Sequence, residues 1–202
     1  MKIAVLANDS QWQELLAANG KPEWIRCVDE VAFFNCTAEV YINMLEDAFT
    51  KDYKAIPQTI LINSVSTTLK EIDASGNMLR INGWNGFLKR QHWELAGNAS
   101  QQIEAFFFLL DKTFTIVPDE PGMVAGRIIA MIINEAYFAL EEGLSSKEEI
   151  DIAMKLGTNY PYGPFEWADK IGINNIYALL QKLSVHDKRY IAASLLQKQA
   201  TV

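Results

Sequence analysis

Two hydrophobic rhythms meet near residue 117, and together they restrict the chain to a layered sheet followed by packed helices. Before that point short apolar runs alternate with helical stretches. Beyond Val117 no strand signal occurs and the apolar residues recur three to four apart. Ile3–Ala7, Trp24–Val28, Glu39–Leu45 and Thr59–Asn63 read as strands, with Leu79–Gly83 and His92–Leu95 after them, the second at an edge. Ser10 and Gln13 form a capping box for a first helix through Leu15, Leu16 and Ala18, stopped by Gly20. Ser100–Leu110 is helical and Phe114–Val117 adds one more strand. Strands alternating with short helices predict a parallel α/β sheet.

The boundary falls where Pro118 and Pro121 flank an acidic pair, giving an α/β domain over 1–117 and an all-α domain over 118–202. Met123, Ile128, Ile132, Ala136 and Leu140 predict one amphipathic helix over Gly122–Glu142, ended by Gly143. Ser145 or Ser146 caps a second helix with Ile150, Ala153, Met154 and Leu156 on its apolar face, and Gly157 terminates it. An aromatic loop, Tyr160–Trp167, precedes two further helices over Asn174–Leu183 and Asp187–Lys198.

Half the residues are hydrophobic and 21% are charged, enough apolar material for a core. A net charge of −7 speaks against a nucleic-acid surface, because phosphate binding needs a basic footprint. Cys27 and Cys36 sit in no CxxC or Cys/His cluster and read as reduced thiols of a cytoplasmic protein, with no metal site. The first residues read as a strand and not as a leader. The longest apolar stretch, Gly126–Phe138, is broken by Arg127, Asn134 and Glu135 and is too short to span a bilayer.

The motifs beyond the boundary are more specific. Pro121-Gly122-Met123-Val124, Arg127-Ile128, Asn134-Glu135-Ala136, Glu142-Gly143, Ile150-Asp151 and Met154-Lys155-Leu156-Gly157 occur in order, followed by Tyr160-Pro161, Gly163-Pro164-Phe165-Glu166, Asp169 and Gly172. This series resembles the helical C-terminal domain of 3-hydroxyacyl-CoA dehydrogenases. Upstream, Ala38–Asp47 is similar to that family's third strand and its acidic continuation. Asn63–Ile72 resembles the segment after the fourth strand, and Gly83–Glu94 the catalytic strand region. The resemblance implies a shortened Rossmann-like domain before the helical one, and a homodimer formed through the helices. It also implies hydride transfer between NAD and the C3 position of a 3-hydroxyacyl-CoA in fatty-acid metabolism.

Several positions depart from that pattern. The reaction needs a base near neutrality, and the family supplies a His oriented by a Glu. Anchoring on Glu94 sets Asn82 at the His position, and an amide can donate a hydrogen bond but cannot shuttle a proton. Val65 stands where a Ser is expected, with Ser66 after it, and Gly126 stands for an Asn before Arg127. His92 shares a strand face with Glu94 and is the candidate replacement base. His186 reads as structural. The first turn, Ala7-Asn8-Asp9-Ser10-Gln11-Trp12, holds no glycine, and its Asp9 would face phosphate charge, where like charges ~4 Å apart cost roughly 1–4 kcal/mol. Asp29 ends the second strand where a ribose-binding acid belongs. The family's helical insertion between the second and third strands is absent, since the chain passes directly from Val28 to Glu39. Ser66, Asn85, Lys89, Arg90 and Arg127 are the candidate substrate contacts, with Lys89 and Arg90 offered to a CoA phosphate. The expectation is a catalytically degenerate family member without cofactor that binds an acyl-CoA or a partner. The alternative is a working NAD-dependent dehydrogenase.

Overall fold

The computed structural model describes residues 1–17, 22–45 and 51–201, and of Lys51 and Asp52 the backbone alone. The predicted helix stop at Gly20 and the acidic residues Glu46 and Asp47 lie outside the described residues. The chain divides into two compact units, Met1–Met123 and Val124–Val202.

The first unit is built on a seven-stranded sheet in the order β2-β1-β3-β4-β5-β6-β7. The strands are β1 (Lys2–Leu6), β2 (Glu23–Cys27), β3 (Val40–Asn43), β4 (Thr59–Asn63), β5 (Met78–Ile81), β6 (His92–Ala96) and β7 (Thr113–Val117). Every pairing is parallel except β5 with β6. Among the described residues, three α-helices accompany them: α1 (Asp9–Leu16), α2 (Glu30–Asn35), which the sequence pattern did not predict, and α3 (Gln101–Leu109). The central strands are apolar runs because both faces are covered. Leu15 of α1 and Ile103, Phe106 and Phe107 of α3 pack with Ile3, Val5, Ile42, Leu61 and Leu79 on one face. Phe33 of α2, with Tyr53 and Ile56, packs with Ala4, Tyr41, Ile60 and Ile62 on the other.

Two expectations in this unit need correction. The cap of α1 is Asn8, not Ser10, and its reciprocal partner is Gln11, not Gln13. β6 is not an edge strand, since β5 and β7 flank it. Its alternation of exposed His92 and buried Trp93 reports two unlike faces, not a missing neighbour.

The second unit holds α4 (Ala125–Glu141), α5 (Lys147–Thr158), α6 (Pro164–Ile171), α7 (Ile173–Ser184) and α8 (Ser194–Ala200). The buried stripe of α4 runs through Ile129, Ala130, Ile133, Ala136 and Tyr137, turned from the predicted one, and Ile128 is exposed. Ser146 caps α5 with Glu149 as its reciprocal partner. The helix runs through Gly157 and ends instead at Asn159, in the left-handed region at φ 55°. The predicted apolar face of α5 is not buried. Its one buried residue is Asp151, while Ile152 and Leu156 face outward. Asp151 accepts from the backbone amides of Phe165 (2.8 Å) and Glu166 (3.2 Å), so a carboxylate of one helix caps the next.

Half of the predicted aromatic loop is therefore helix. Gly163 caps α6, Pro164 opens it, and Glu166 returns to the Gly163 amide at 2.9 Å. A Cβ on Gly163 would collide with the Asp151 side chain. The predicted last helix is split into a short 3-10 turn, Lys188–Tyr190, and α8. Buried Asn134 holds the extended stretch between them, donating to the Ile191 carbonyl and accepting from the Ala193 amide, both at 2.9 Å. Among the described residues, no helix is long and apolar enough to cross a membrane.

Candidate functional site

In a doubly wound sheet, ligands bind outside the carboxyl ends of the strands where the winding reverses. Here that point lies between β1 and β3, because β2 and β3 flank β1 on opposite sides. The turn after β1 carries α1, whose first amides would normally be open to an anion. Asn8 Oδ1 accepts the Gln11 amide at 2.9 Å and Gln11 Oε1 accepts the Asn8 amide at 3.1 Å. The other end of the Gln11 side chain donates to the Met44 carbonyl after β3 (2.6 Å) and to the Gly83 carbonyl after β5 (3.0 Å). Gln11 is 4% exposed, so one side-chain amide lies sealed across the strand ends. Asp9 pairs with Arg26 of β2 at 2.5 Å, and Arg26 also donates to the Ala7 carbonyl.

Further amides close the neighbouring strand ends. Asn43 donates to the Tyr53 hydroxyl (2.5 Å) and accepts from the Leu45 amide (2.9 Å). Asn63 donates to the Met44 carbonyl and accepts from the Gly83 amide, both at 2.9 Å. A Cβ at Gly83 would stand 2.8 Å from Asn63 Cγ, so glycine is required there. Asn82 is built differently. Its Oδ1 accepts from the Trp84 amide at 3.2 Å, while its buried Nδ2 has no hydrogen-bond partner.

β5 and β6 run antiparallel with Arg80 opposite Ala96 and Ile81 opposite Leu95. One further step of that register sets Asn82 opposite the half-buried Glu94. His92 is exposed on the same side as Glu94, and its ring nitrogens meet the Thr113 hydroxyl at 2.8 Å and the Thr115 hydroxyl at 2.9 Å. Asp29 caps α2, accepting from the Ala32 amide at 2.8 Å, so its carboxylate already has a structural task.

Ser66 is buried beside Val65, whose carbonyl receives the Gly122 amide (2.8 Å) and Arg80 (2.9 Å). Asn85 is half-buried, and Lys89 and Arg90 are exposed, in the turn that follows β5. The Arg90 guanidinium lies 4.1 Å from the Phe87 ring centroid. Arg127 belongs to α4 in the helical unit, 5.9 Å from the Tyr190 ring centroid.

Three organising residues were not singled out from sequence. Glu14 of α1 holds the turn after β5 through the Gly86 amide (2.5 Å) and the Leu88 amide (3.2 Å). Lys112 is buried with its ammonium on the Arg90 carbonyl at 2.6 Å; burial pushes its pKa down, and Glu14 opposes the shift. Arg80 is fully buried, bonded to Asp119 at 2.5 Å and to the Ser64 carbonyl at 2.7 Å. Desolvation lowers its pKa and the Asp119 carboxylate counteracts it. These ties span long sequence separations and leave no local signature. Gln11 is different, because Asn8-x-x-Gln11 is itself a readable capping box.

The first unit is thus a doubly wound sheet with one antiparallel step, from β5 to β6, and a helical unit follows it in the chain. The (S)-3-hydroxybutyryl-CoA dehydrogenase of Ralstonia eutropha shares that fold, at a TM-score of 0.73 over 99% of this chain and 93% of its own, with 20% identity. The 3-hydroxybutyryl-CoA dehydrogenase of Escherichia coli K12 matches at a TM-score of 0.59 and 34% identity, over 72% of this chain and 32% of its own. The family profile of the 3-hydroxyacyl-CoA dehydrogenase C-terminal domain matches residues 122–201. The helical unit is thus similar to the C-terminal domain of 3-hydroxyacyl-CoA dehydrogenases.

Among curated proteins, the 3-hydroxyadipyl-CoA dehydrogenase of Escherichia coli is 47% identical over 91 residues, 44% of this chain and 19% of that protein. The 3-hydroxybutyryl-CoA dehydrogenase of Clostridioides difficile is 42% identical over 97 residues, 45% of this chain and 34% of that protein. The aligned part thus amounts to a fifth to a third of these relatives' length.

Proposed function

We propose that this chain is a family member that has left hydride transfer, binds no NAD, and keeps the scaffold for acyl-CoA binding as a homodimer. The observation that carries this reading is the Gln11 side chain. It engages the first turn of α1 and bridges to Met44 and Gly83 across the winding reversal. A dinucleotide pyrophosphate needs that place open, with glycines that let backbone amides approach it. The proton-transfer position agrees, since Asn82 has no group that takes and returns a proton. His92, the candidate substitute, has both ring nitrogens on threonine hydroxyls.

Dimerisation is supported by α5, where Ile152 and Leu156 lie four apart and are 54% and 83% exposed, with Tyr160 just beyond the helix 39% exposed. A helix with so little of its own surface covered gains from a partner face.

The test is calorimetric titration with NADH, then with acetoacetyl-CoA, alongside an assay of acetoacetyl-CoA-dependent NADH oxidation. The expected result is no heat with NADH, binding of the ester and no turnover. Micromolar NADH binding or any turnover would instead establish the working dehydrogenase.

A further inference from the structure

We infer that Cys27 and Cys36 form an oxidation site, in which a hydroperoxide converts the two thiols into an intrachain disulfide that joins the end of β2 to the end of α2. The inference is independent of what the strand ends bind.

The crossover from β2 to β3 brings the two residues together. Cys27 is the last residue of β2, and Cys36 is the residue on which α2 stops, nine positions later. A helix of six residues is about 9 Å long, so the chain that leaves Cys27 returns within one short element. Phe33 of α2 anchors that return, fully buried and edge-on to the Tyr41 ring of β3 with centroids 5.4 Å apart. The Tyr41 hydroxyl donates to the Cys36 carbonyl and accepts from the Ala38 amide, which fixes the backbone on either side of the turn. Both cysteines consequently pack in one apolar cluster with Leu6, Ala38 and Tyr41, and their thiols are hydrogen-bonded to each other. Sulfurs in that contact need only a small shift to bond.

The two thiols differ in reach, and this sets the order of events. Cys27 is 5% exposed, whereas Cys36 is half-buried and open to a small oxidant. Burial first, and then the neighbouring Cys36, push the Cys27 thiol up to about 11, so it keeps its proton while Cys36 is attacked. The Cys36 thiolate attacks one oxygen of the hydroperoxide. The O–O bond breaks, Cys36 becomes a sulfenic acid, and the other oxygen leaves as water or an alcohol after taking up a proton. The Cys27 sulfur then displaces the sulfenic hydroxyl, which departs as water with the Cys27 proton. Two electrons have passed from the thiol pair to one hydroperoxide. Because the second sulfur is already in contact, this closing step is intramolecular and outruns further oxidation of Cys36.

The experiment treats the full chain with hydrogen peroxide, blocks the remaining thiols by alkylation and maps them by peptide mass spectrometry. The parent should lose both thiols together for one equivalent of peroxide, yield a Cys27–Cys36 linked peptide, and recover both thiols with dithiothreitol. Closing a loop of about ten residues should raise the thermal midpoint by ~5–10 °C. Dimedone, which traps sulfenic acids, should label Cys36 in Cys27→Ala and leave Cys27 unlabelled in Cys36→Ala. Thiols that survive an excess of peroxide, a sulfinic acid accumulating on Cys36 of the parent, or a disulfide between chains would overturn the inference. A midpoint unchanged or lowered by oxidation would do so as well, since it would show that the thiols are not placed for the bond.

Discussion

Replacing Asp151 by alanine removes the acceptor for two backbone amides at the start of α6 while leaving the surrounding apolar contacts in place. Both amides are engaged by that carboxylate, at 2.8 Å for Phe165 and 3.2 Å for Glu166, and Asp151 is 8% exposed. Each buried donor left without an acceptor costs roughly 1–3 kcal/mol, so the substitution costs about 2–6 kcal/mol. In a chain of 202 residues each kcal/mol lowers the midpoint by about 2–4 °C, which sets the expected drop at ~4–24 °C. Asp151→Asn keeps one acceptor oxygen and should lose about half as much. Gly163→Ala is destabilising on its own, because its Cβ meets the Asp151 side chain. Combined with Asp151→Ala it should cost less than the sum of the two single changes. Thermal and urea unfolding followed by circular dichroism measure the four variants beside the parent. A midpoint for Asp151→Ala within about 2 °C of the parent, or strict additivity in the cycle, would refute the reasoning.

Three more outcomes follow from features already described. Leu156→Glu on α5 puts a charge on the exposed apolar face and should give a monomer in light scattering with the fold retained; a parent protein that is already monomeric removes the dimer claim. Asn82→His supplies an imidazole but leaves Gln11 across the strand ends, so NADH oxidation should stay absent, and its appearance would show that the turn admits the cofactor. The Lys155 ammonium first, and then the Gly163 amide, hold the Glu166 carboxyl below its ordinary value of 4.5. A group depressed in the folded state stabilises fully above the unfolded value, and this contribution is lost as pH falls through the folded one. Glu166→Gln should therefore flatten the acid limb of the stability profile below about pH 4.5, and an unchanged limb would contradict the assignment.

Legibility varied with how local the cause of each feature is. Thr59–Asn63 was read with the bounds it has, because an apolar, partly β-branched run after Pro57 has no alternative when both sheet faces are covered. The antiparallel step between β5 and β6 was not read, because strands alternating with helices predict parallel neighbours and the β5–β6 connection holds no sequence sign of its direction. α5 was read as an element but not in its packing. Ile152 and Leu156 form a genuine apolar stripe, yet periodicity says that a stripe exists and not what covers it. α6 was hidden by its aromatics, although Gly163-Pro164-Phe165-Glu166 carries both a helix-opening proline and a returning glutamate. The ties of Arg80 to Asp119 and of Glu14 to Gly86 and Leu88 could not be read, because each joins residues far apart in the chain by a side chain whose type is common on surfaces.

A strand end that waits for a nucleotide makes the folded population a function of nucleotide concentration, because a ligand that binds the native state alone adds RT ln(1 + [L]/Kd) to its stability. The Gln11 amide supplies that contact from within the chain, at the fixed effective concentration of a covalently attached group. On the proposed reading, in which NAD does not bind, the folded population of this protein does not change with nicotinamide concentration.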